Sequence, residues 1–440
     1  MPLKITVFIT ALLLIQPTFS QPPTTDELPR RAKWQATLQL QDSAGLLVSK
    51  LEASSPLKQA GLQVGDRIVA IDGKAITSNP QRNDITDALV ADRNYRITYR
   101  RGVDAHTADV RFAPVPLESY PNLAVAYSQI TSNYGIRQRT IITRPANKKG
   151  RQPAIFVVQG LSCSSIENTP GRKSNFIRSL TNLAKQSGMV MLRVEKPGLG
   201  DSEGDCSQTD FYTELDGYET ALQQLLSLPY VDPERVIVYG SSMGSALAPY
   251  LANKYQLNGI ISDGTFYRSW FEHMLEIERR IKQMQDVSEA DINQQMVHAY
   301  IPLYYGMLVE KKSYAQMIDE NPLLAKYNYH LPEHMYGRPM SFYHQLQGFN
   351  VPGEWEKLAA PARIRWGTLD WIMSEADNHM IVDTLKRNNH QDFEFYKHPD
   401  MDHWYTIHAT AKDSFTGKPG KWSDKIGQVL VDWAKELNKQ

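Results

Sequence analysis

The chain has 440 residues, of which 42% are hydrophobic, and this is enough material for two domains with buried cores. Its 48 Lys and Arg residues balance 48 Asp and Glu residues, which excludes the single-signed surface typical of proteins that bind nucleic acid. The two cysteines, Cys163 and Cys206, do not form a C-x-x-C pair, so we predict neither a metal site nor a cofactor.

The first residues place Lys4 before an apolar run from Ile5 to Ile15, and small or polar residues follow, including Ser20. This order is typical of a secretory signal peptide over residues 1–20, because the run is short for a bilayer span. An uncleaved anchor is the alternative. No later stretch is apolar enough to cross a membrane, so we expect a mature protein without a membrane span, periplasmic or secreted.

Residues 33–113 are predicted to form a small β-rich domain, because short apolar runs alternate there with turn residues. Asp72-Gly73 is a typical hairpin turn within it. The proline-rich stretch APVPLESYPN begins at Ala113 and disfavours regular structure, so the domain boundary is placed there. Residues 114–440 are assigned to a second domain.

Four short groups of residues in the first domain form a recognisable series: Ser55-Pro56, Ala60-Gly61-Leu62, Gly65-Asp66 and Ile71-Asp72-Gly73. The series resembles the PDZ domains of exported bacterial proteases, which add a peptide strand to a sheet edge. The resemblance implies a peptide C-terminus as a partner, with Ser43 to Leu46 in place of the family's carboxylate-binding loop. Because these residues depart from the usual G-L-G-F motif, the alternative is a domain that binds no peptide and only packs on the second domain.

From Ala124 onward, apolar runs alternate with amphipathic helices. The predicted strands are AIFVV (154–158), MVMLRV (189–194), VIVY (236–239), GIIS (259–262), ARIRW (362–366) and FEFY (393–396). The predicted helices between them cover 174–187, 210–228 and 245–255. This alternation indicates βαβ units, and the continuous apolar runs indicate strands covered on both faces. The predicted fold class is α/β, with a mostly parallel, doubly wound sheet.

Two stretches match the pattern G-x-S-x-G, GDSEG at 200–204 and GSSMG at 240–244. The pattern marks a nucleophile only on a tight strand-to-helix turn that lifts the serine above the sheet. GSSMG directly follows the strand VIVY and opens a helix, whereas GDSEG has no strand against it. We therefore predict Ser242 as the nucleophile and Ser202 as a loop residue whose acidic neighbours lie in solvent.

The serine needs a base that an acid orients, and the expected chain order is Ser, then Asp or Glu, then His. His403 lies further along the loop after FEFY than His398 and is the predicted base. The turn GTLD after ARIRW ends in Asp370, the predicted acid. Glu375 and Asp377 are predicted to lie on the solvated face of the next helix.

Five segments, QGLSC, EKPGLGDSEG, GSSMG, GTLD and MDHWY, follow one another between residues 159 and 405. In this order they resemble the α/β-hydrolase fold of esterases and serine aminopeptidases. The resemblance implies the catalytic triad Ser242, Asp370 and His403, and a helical lid at about 265–360. EKPGLGDSEG then matches the family turn D-x-x-G-x-G-x-S, with Glu195 in place of the first acid.

Acyl transfer also needs two backbone N–H groups that stabilise the oxyanion. The predicted donors are Met243, immediately after the nucleophile, and Leu161 in the loop after AIFVV. The strands before Cys163 and Cys206 are neighbours in this fold, so we predict a disulfide between them. The lid segment is rich in aromatic residues and Met, which favours an apolar or aromatic acyl group, and its histidines, among them His273, are predicted to pack or lie at the surface.

The predicted function is that of a serine esterase, which cleaves a carboxylic ester through an acyl-enzyme intermediate. An exported serine peptidase of the same fold is the second hypothesis, because exported proteases carry PDZ domains and both reactions share one tetrahedral intermediate. A catalytically inactive binding protein is the third. The partners expected are a small ester or peptide substrate and no nucleic acid.

Overall fold

A computed structural model of the protein describes residues 27–40, 45–76 and 89–439. The predicted signal peptide, residues 1–20, lies outside the described residues, and so do Ser43 and Ala44. Within the described ranges no helix is long and apolar enough to cross a membrane. The same ranges contain no group of three or more His, Cys, Asp or Glu side chains arranged to hold a metal ion.

The N-terminal domain is β-rich, as predicted. Its elements are β1 (Ala36–Leu40), β2 (Leu46–Leu51), α1 (Pro56–Gln59), β3 (Arg67–Ile71), β4 (Lys74–Ala75), β5 (Asn94–Arg101) and β6 (Asp104–Arg111). The strands form one antiparallel sheet in the order β1-β2-β3-β5-β6, with β4 paired to β3 across the predicted Asp72-Gly73 turn. Both turn residues have positive φ, 50° and 80°, as a two-residue hairpin loop requires.

The strand pairing of this sheet leaves β1 at one edge. β2 pairs with β1 on one side and with β3 on the other, so Leu46 begins an interior strand. A peptide strand can add only to an unpaired edge. In the described residues β1 forms the outer edge on this side, and because Ser43 and Ala44 lie outside them, the assignment of Ser43 to Leu46 as the carboxylate-binding loop stays a prediction.

The second domain is built on a larger sheet. Its strands are β7 (Leu123–Thr131), β8 (Arg137–Pro145), β9 (Gln152–Val158), β10 (Val190–Val194), β11 (Val231–Ser241), β12 (Gly259–Asp263), β13 (His334–Met335), β14 (Arg338–Pro339), β15 (Ala362–Gly367) and β16 (Phe393–His398). Eight of them form one sheet in the order β16-β15-β12-β11-β9-β10-β8-β7, and β13 and β14 form a separate hairpin. The sheet is parallel from β16 to β10, and β8 and β7 are antiparallel to their neighbours.

Helices cover both faces of this sheet. They are α2 (Asn175–Gln186), α3 (Phe211–Ser227), α4 (Met243–Tyr255), α5 (Trp270–Met284), α6 (Glu289–Gln295), α7 (Ile301–Tyr304), α8 (Tyr314–Glu320), α9 (Met340–Leu346), α10 (Val351–Glu356), α11 (Glu375–Arg387), α12 (Ala411–Phe415) and α13 (Asp424–Leu437). Along β9, Phe156 and Val158 pack on the side of α3 and α4, whereas Ile155 and Val157 pack on the side of α2 and α13. Every side chain of β9 is buried, as the continuous apolar run predicted.

The segment between β12 and β15 is a helical insertion, and it contains α5 to α10 together with the short hairpin of β13 and β14. It packs on the same face of the sheet as α3 and α4, and its buried aromatic side chains continue that core. The insertion therefore forms a cover over the end of the sheet that carries Ser242.

An arm of residues 27–33 precedes β1 and contacts the second domain. The Arg30 guanidinium contacts Glu167 at 2.7 Å and Asp201 at 2.5 Å, and Arg31 contacts Glu167 at 2.9 Å. Both carboxylates are almost fully buried, so these are largely buried ion pairs between the domains.

The linker after β6 contacts both the arm and the sheet of the second domain. The backbone N–H of Lys33 donates to Ala113 at 2.8 Å, and that of Val115 donates to Arg31 at 3.1 Å. Further along, the buried Glu118 carboxylate pairs with Arg193 of β10 at 2.7 Å. The chain therefore enters and leaves the N-terminal domain along one surface of the second domain.

Candidate active site

Ser242 lies on a sharp turn between β11 and α4, with φ 56° and ψ −125°, a backbone conformation that L-residues rarely adopt. The turn is tight because its flanking glycines approach other backbone. A Cβ on Gly240 would lie 2.4 Å from the carbonyl oxygen of Gly244, and a Cβ on Gly244 would lie 2.3 Å from that of Val158. Only glycine fits at these two positions, and the serine lies partly exposed at the end of the sheet.

The three side chains predicted as a triad are joined by hydrogen bonds. His403 Nε2 lies 3.0 Å from Ser242 Oγ, and His403 Nδ1 lies 2.8 Å from Asp370 Oδ2. The other carboxylate oxygen of Asp370 accepts from the backbone N–H groups of Ile372 and Met373, at 2.9 and 2.8 Å. The carboxylate is therefore held by its own loop, and a proton on Nδ1 leaves Nε2 as an acceptor for the serine hydroxyl.

The neighbouring acids and histidine serve other contacts. His398 is buried, and burial together with nearby Arg365 lowers its pKa to about 4. The Asp402 carboxylate accepts from two backbone N–H groups of its own loop, at 2.9 Å each, and so points away from His403. The prediction of a solvated face was wrong for Asp377, which is buried and pairs with Arg268 of the lid segment at 2.7 Å. Glu375 remains partly exposed.

The electrostatic surroundings of His403 favour its charged form. Burial alone would lower the pKa of this imidazole, but the charge of Asp370 and the hydrogen bond to it outweigh burial and raise the pKa above its ordinary value. An imidazolium that forms when His403 takes a proton is therefore stabilised where it is produced.

The loop with the predicted oxyanion donor Leu161 is fixed from beneath by Lys196. The Lys196 ammonium donates to the carbonyl oxygens of Gly160 at 2.5 Å, Leu161 at 3.2 Å and Ser162 at 3.4 Å. In a trans peptide the C=O and the following N–H point in opposite directions, so the N–H of Leu161 points away from Lys196. Lys196 is buried outside the cavity that Leu161 lines, which directs this N–H toward the cavity.

A buried chain of charges continues from Lys196 into the lid segment. Glu214 of α3 pairs with Lys196 at 3.1 Å and also with Arg338 of β14. The Arg338 guanidinium contacts both sulfurs of the disulfide that joins Cys163 and Cys206. This network was not predicted, because its members are far apart in the sequence.

Burial lowers the pKa of Lys196 to about 8, with Glu214 opposing and Arg338 assisting the shift. The ammonium is therefore close to losing its proton at mildly alkaline pH. Because the charged form holds the oxyanion loop, the pKa of Lys196 enters the pH dependence expected of this site.

GDSEG is a loop of the second domain that contacts the arm. Ser202 is a loop residue, as predicted, and its hydroxyl accepts from the backbone N–H of Arg139 at 2.9 Å. The prediction that both acids face solvent was wrong for Asp201, which is buried and pairs with Arg30 of the arm and with Arg139. Glu203 is exposed and pairs with Arg137.

A cavity of about 1300 Å³ lies over the triad and has two dissimilar walls. The lid segment and its surroundings contribute a buried, mainly apolar wall that includes Met243, Trp270, His273 and Ile277. The opposite rim, before and within α2, contributes the cations Arg172, Lys173 and Arg178. No acidic side chain of the described residues lines the cavity, and besides its apolar and cationic residues the lining includes neutral polar side chains such as Ser164, Asn168 and Thr181.

A second cavity of about 490 Å³ lies between the domains, and Ser164, Ser165 and Arg172 line both cavities. It reaches the start of β1 at Ala36, beside the open edge of the N-terminal sheet. The segment after β9 that contains Ser164 and Arg172 therefore lines both the active-site cavity and the interdomain cavity.

Comparisons with known proteins give one family match and several similar solved structures. Residues 27–112 match the family model described as PDZ domain. An esterase of Pyrococcus furiosus is similar in structure with a TM-score of 0.42 and 12% identity, over 74% of this chain and 96% of that chain. Est1E from Butyrivibrio proteoclasticus, solved with ferulic acid, has a TM-score of 0.45 and 14% identity, over 70% and 97%. The α/β hydrolase GrgF from Penicillium has a TM-score of 0.45 and 14% identity, over 72% and 100%.

The strand order and the strand-to-helix turn identify the fold class of the protein. A β-rich PDZ region precedes an α/β-hydrolase fold with a mixed eight-stranded sheet and helices on both faces. The chain order of the three hydrogen-bonded side chains, Ser242, Asp370 and His403, is the order usual for this fold.

We predict that turnover rises with pH through the raised pKa of His403, because the imidazole must be neutral to accept the serine proton. In Asp370→Asn the rise should move to lower pH and kcat should fall by about a thousandfold or more. The measurement is the pH profile of kcat/KM in both proteins. An acid limb that stays in place in Asp370→Asn would contradict the assignment of this limb to His403.

We also predict an alkaline limb near pH 8 that depends on Lys196. Lys196→Met should remove this limb and lower kcat by about ten- to a hundredfold, less than the loss of an oxyanion donor itself, because Lys196 acts through the loop. KM should change little. Lys196→Arg, which keeps a cation, should recover part of the rate and shift the limb to higher pH. An unchanged alkaline limb in Lys196→Met would show that another group titrates there.

Proposed function

We propose that the protein is a serine hydrolase that cleaves a carboxylic ester through an acyl-enzyme. Ser242 Oγ attacks the ester carbonyl while His403 Nε2 takes the hydroxyl proton, and Asp370 holds the imidazole. The N–H groups of Leu161 and Met243 stabilise the oxyanion. The alcohol leaves with the proton from His403, and a water molecule activated by the same imidazole then releases the acid and restores Ser242.

One observation carries this proposal. The unbroken hydrogen-bonded line from Ser242 through His403 to Asp370, with 3.0 and 2.8 Å contacts, lies at the base of a cavity large enough for a small substrate. A buried serine held only for packing needs neither the strained turn nor an imidazole that is itself fixed by a carboxylate.

The two walls of the cavity suggest how the substrate lies. The lid wall is buried and mainly apolar, which suits the acyl group, and the cationic rim is exposed, which suits the departing alcohol. The apolar side was expected from the lid sequence, whereas the rim adds a preference for neutral or anionic leaving groups over cationic ones.

A peptidase is the second candidate, and the interdomain cavity favours it. A peptide added to the edge of β1 would lie at a cavity that shares Ser164, Ser165 and Arg172 with the active site. The match of residues 27–112 to a PDZ domain supports a peptide partner.

Labelling with a fluorophosphonate tests the nucleophile. Wild type should label and hydrolyse 4-nitrophenyl esters, Ser242→Ala should do neither, and Ser202→Ala should match wild type because the Ser202 hydroxyl contacts only backbone, accepting from Arg139 and donating to Glu195. Labelling of Ser242→Ala, or none of wild type, would reject the proposal, and the latter would favour an inactive binding protein. Hydrolysis of aminoacyl or dipeptidyl anilides in preference to the esters would favour the peptidase.

We propose export to a periplasm or to the medium, supported by the apolar run after Lys4 and by the disulfide of Cys163 with Cys206. Mass spectrometry of exported protein under non-reducing conditions should show cleavage near Ser20 and no free thiol. Two free thiols, or an uncut N-terminus in the cell membrane, would contradict this.

A further inference from the structure

His273 lies on α5, in the lid wall of the active-site cavity. Its ring is fully buried against the rings of Phe266 and Trp270, with centroid distances of 5.2 and 4.8 Å, yet it also lines the cavity over Ser242. The sequence predicted packing or a surface position for this residue. Its position shows a polar ring within an otherwise apolar wall.

Neither ring nitrogen of His273 has a hydrogen-bond partner among the described residues. His344, in the same lid segment, contrasts with it, because the Nε2 of His344 lies 2.9 Å from the carbonyl oxygen of Met307. A buried polar group without a partner destabilises the fold, so such groups normally find one. Both nitrogens of His273 are buried from solvent, but the side chain lines the cavity, so a substrate group packed against this wall is the partner that can reach them.

His273 is a neutral donor and acceptor. Burial lowers its pKa well below the ordinary value, and the positive charges of Arg280, His403 and Arg268 lower it further. A neutral imidazole donates from one nitrogen and accepts at the other, and the two point in different directions, so one substrate group bonds only one of them and can bond either if it both donates and accepts. A hydroxyl does both, whereas a carboxylate only accepts and an ammonium only donates.

We infer that His273 binds a hydroxyl group on the acyl portion of the substrate, which makes the preferred substrates esters of hydroxylated carboxylic acids. This inference rests on the proposed function and adds the substrate class. The hydroxyl occupies the lid side of the cavity beside Trp270 and Ile277, while the ester carbonyl lies at Ser242. His273 contacts substrate in this arrangement and determines specificity rather than moving the serine proton.

The test uses pairs of 4-nitrophenyl esters that differ only in one hydroxyl. The parent acids are hexanoic and 3-phenylpropanoic acid, each with the hydroxyl at successive positions. Wild type should prefer the hydroxylated partner at one or more positions, and in His273→Phe the ratio of kcat/KM within that pair should fall by about tenfold, the value of one neutral hydrogen bond. His273→Asn, which keeps a donor and an acceptor, should retain part of the ratio.

Ile277→Val is the matched control, because Ile277 lines the same wall one turn later without a polar atom. It should change both members of a pair alike. A wild type without preference at any position, or a preference that survives in His273→Phe, would overturn the inference.

A binding measurement separates this inference from the proposed chemistry. Calorimetry with Ser242→Ala and the free acids should show tighter binding of the hydroxylated partner, and Ser242→Ala combined with His273→Phe should abolish the difference. Equal affinities within every pair would overturn the role of His273 even if the esters are cleaved. A difference in affinity without ester cleavage would reject the esterase and keep the binding site.

Discussion

The backbone of Ser242 is the constraint on which the site depends. Its conformation is costly for an L-residue and persists only where the surroundings enforce it. Here Gly240 and Gly244 contact one another and the end of β9, so the turn cannot relax without separating α4 from the sheet. The parallel strands on either side are fully buried, and their packing therefore supports the position of one hydroxyl group.

Two separate supports meet at this site, one through Asp370 and His403 and the other through Lys196. Asp370 is held by N–H groups of its own loop, His403 is held by Asp370, and Lys196 holds the loop of Leu161 from below. The Lys196 support places a cation in the protein interior, and a buried cation is tolerable only when it is well paired. Glu214 provides that pairing, and it links the oxyanion loop to Arg338 in the lid segment.

The sequence predicted those parts of the site that local patterns encode. Ser242 and Asp370 could be found because each follows an apolar strand directly, and the fold brings the ends of parallel strands to one edge. Lys196 and His273 could not, because their roles depend on side chains or on a cavity far away in the sequence. The solvated positions assigned to Asp201 and Asp377 were wrong for the same reason: each acid has an arginine partner more than a hundred residues away. The position of β1 at the edge of its sheet could not be predicted either, because the residues of a single strand do not specify which strands it pairs with.

The two attachments of the N-terminal domain have a mechanical consequence. A domain joined by one flexible linker can swing, but this one is fixed at its entrance by Arg30 and Arg31 and at its exit by Glu118. Because both ends are held by buried ion pairs, we expect the N-terminal domain to keep a fixed position on the second domain. A force applied to its open edge strand is therefore transmitted through the arm to Glu167, three residues after Ser164 in the loop that follows Leu161.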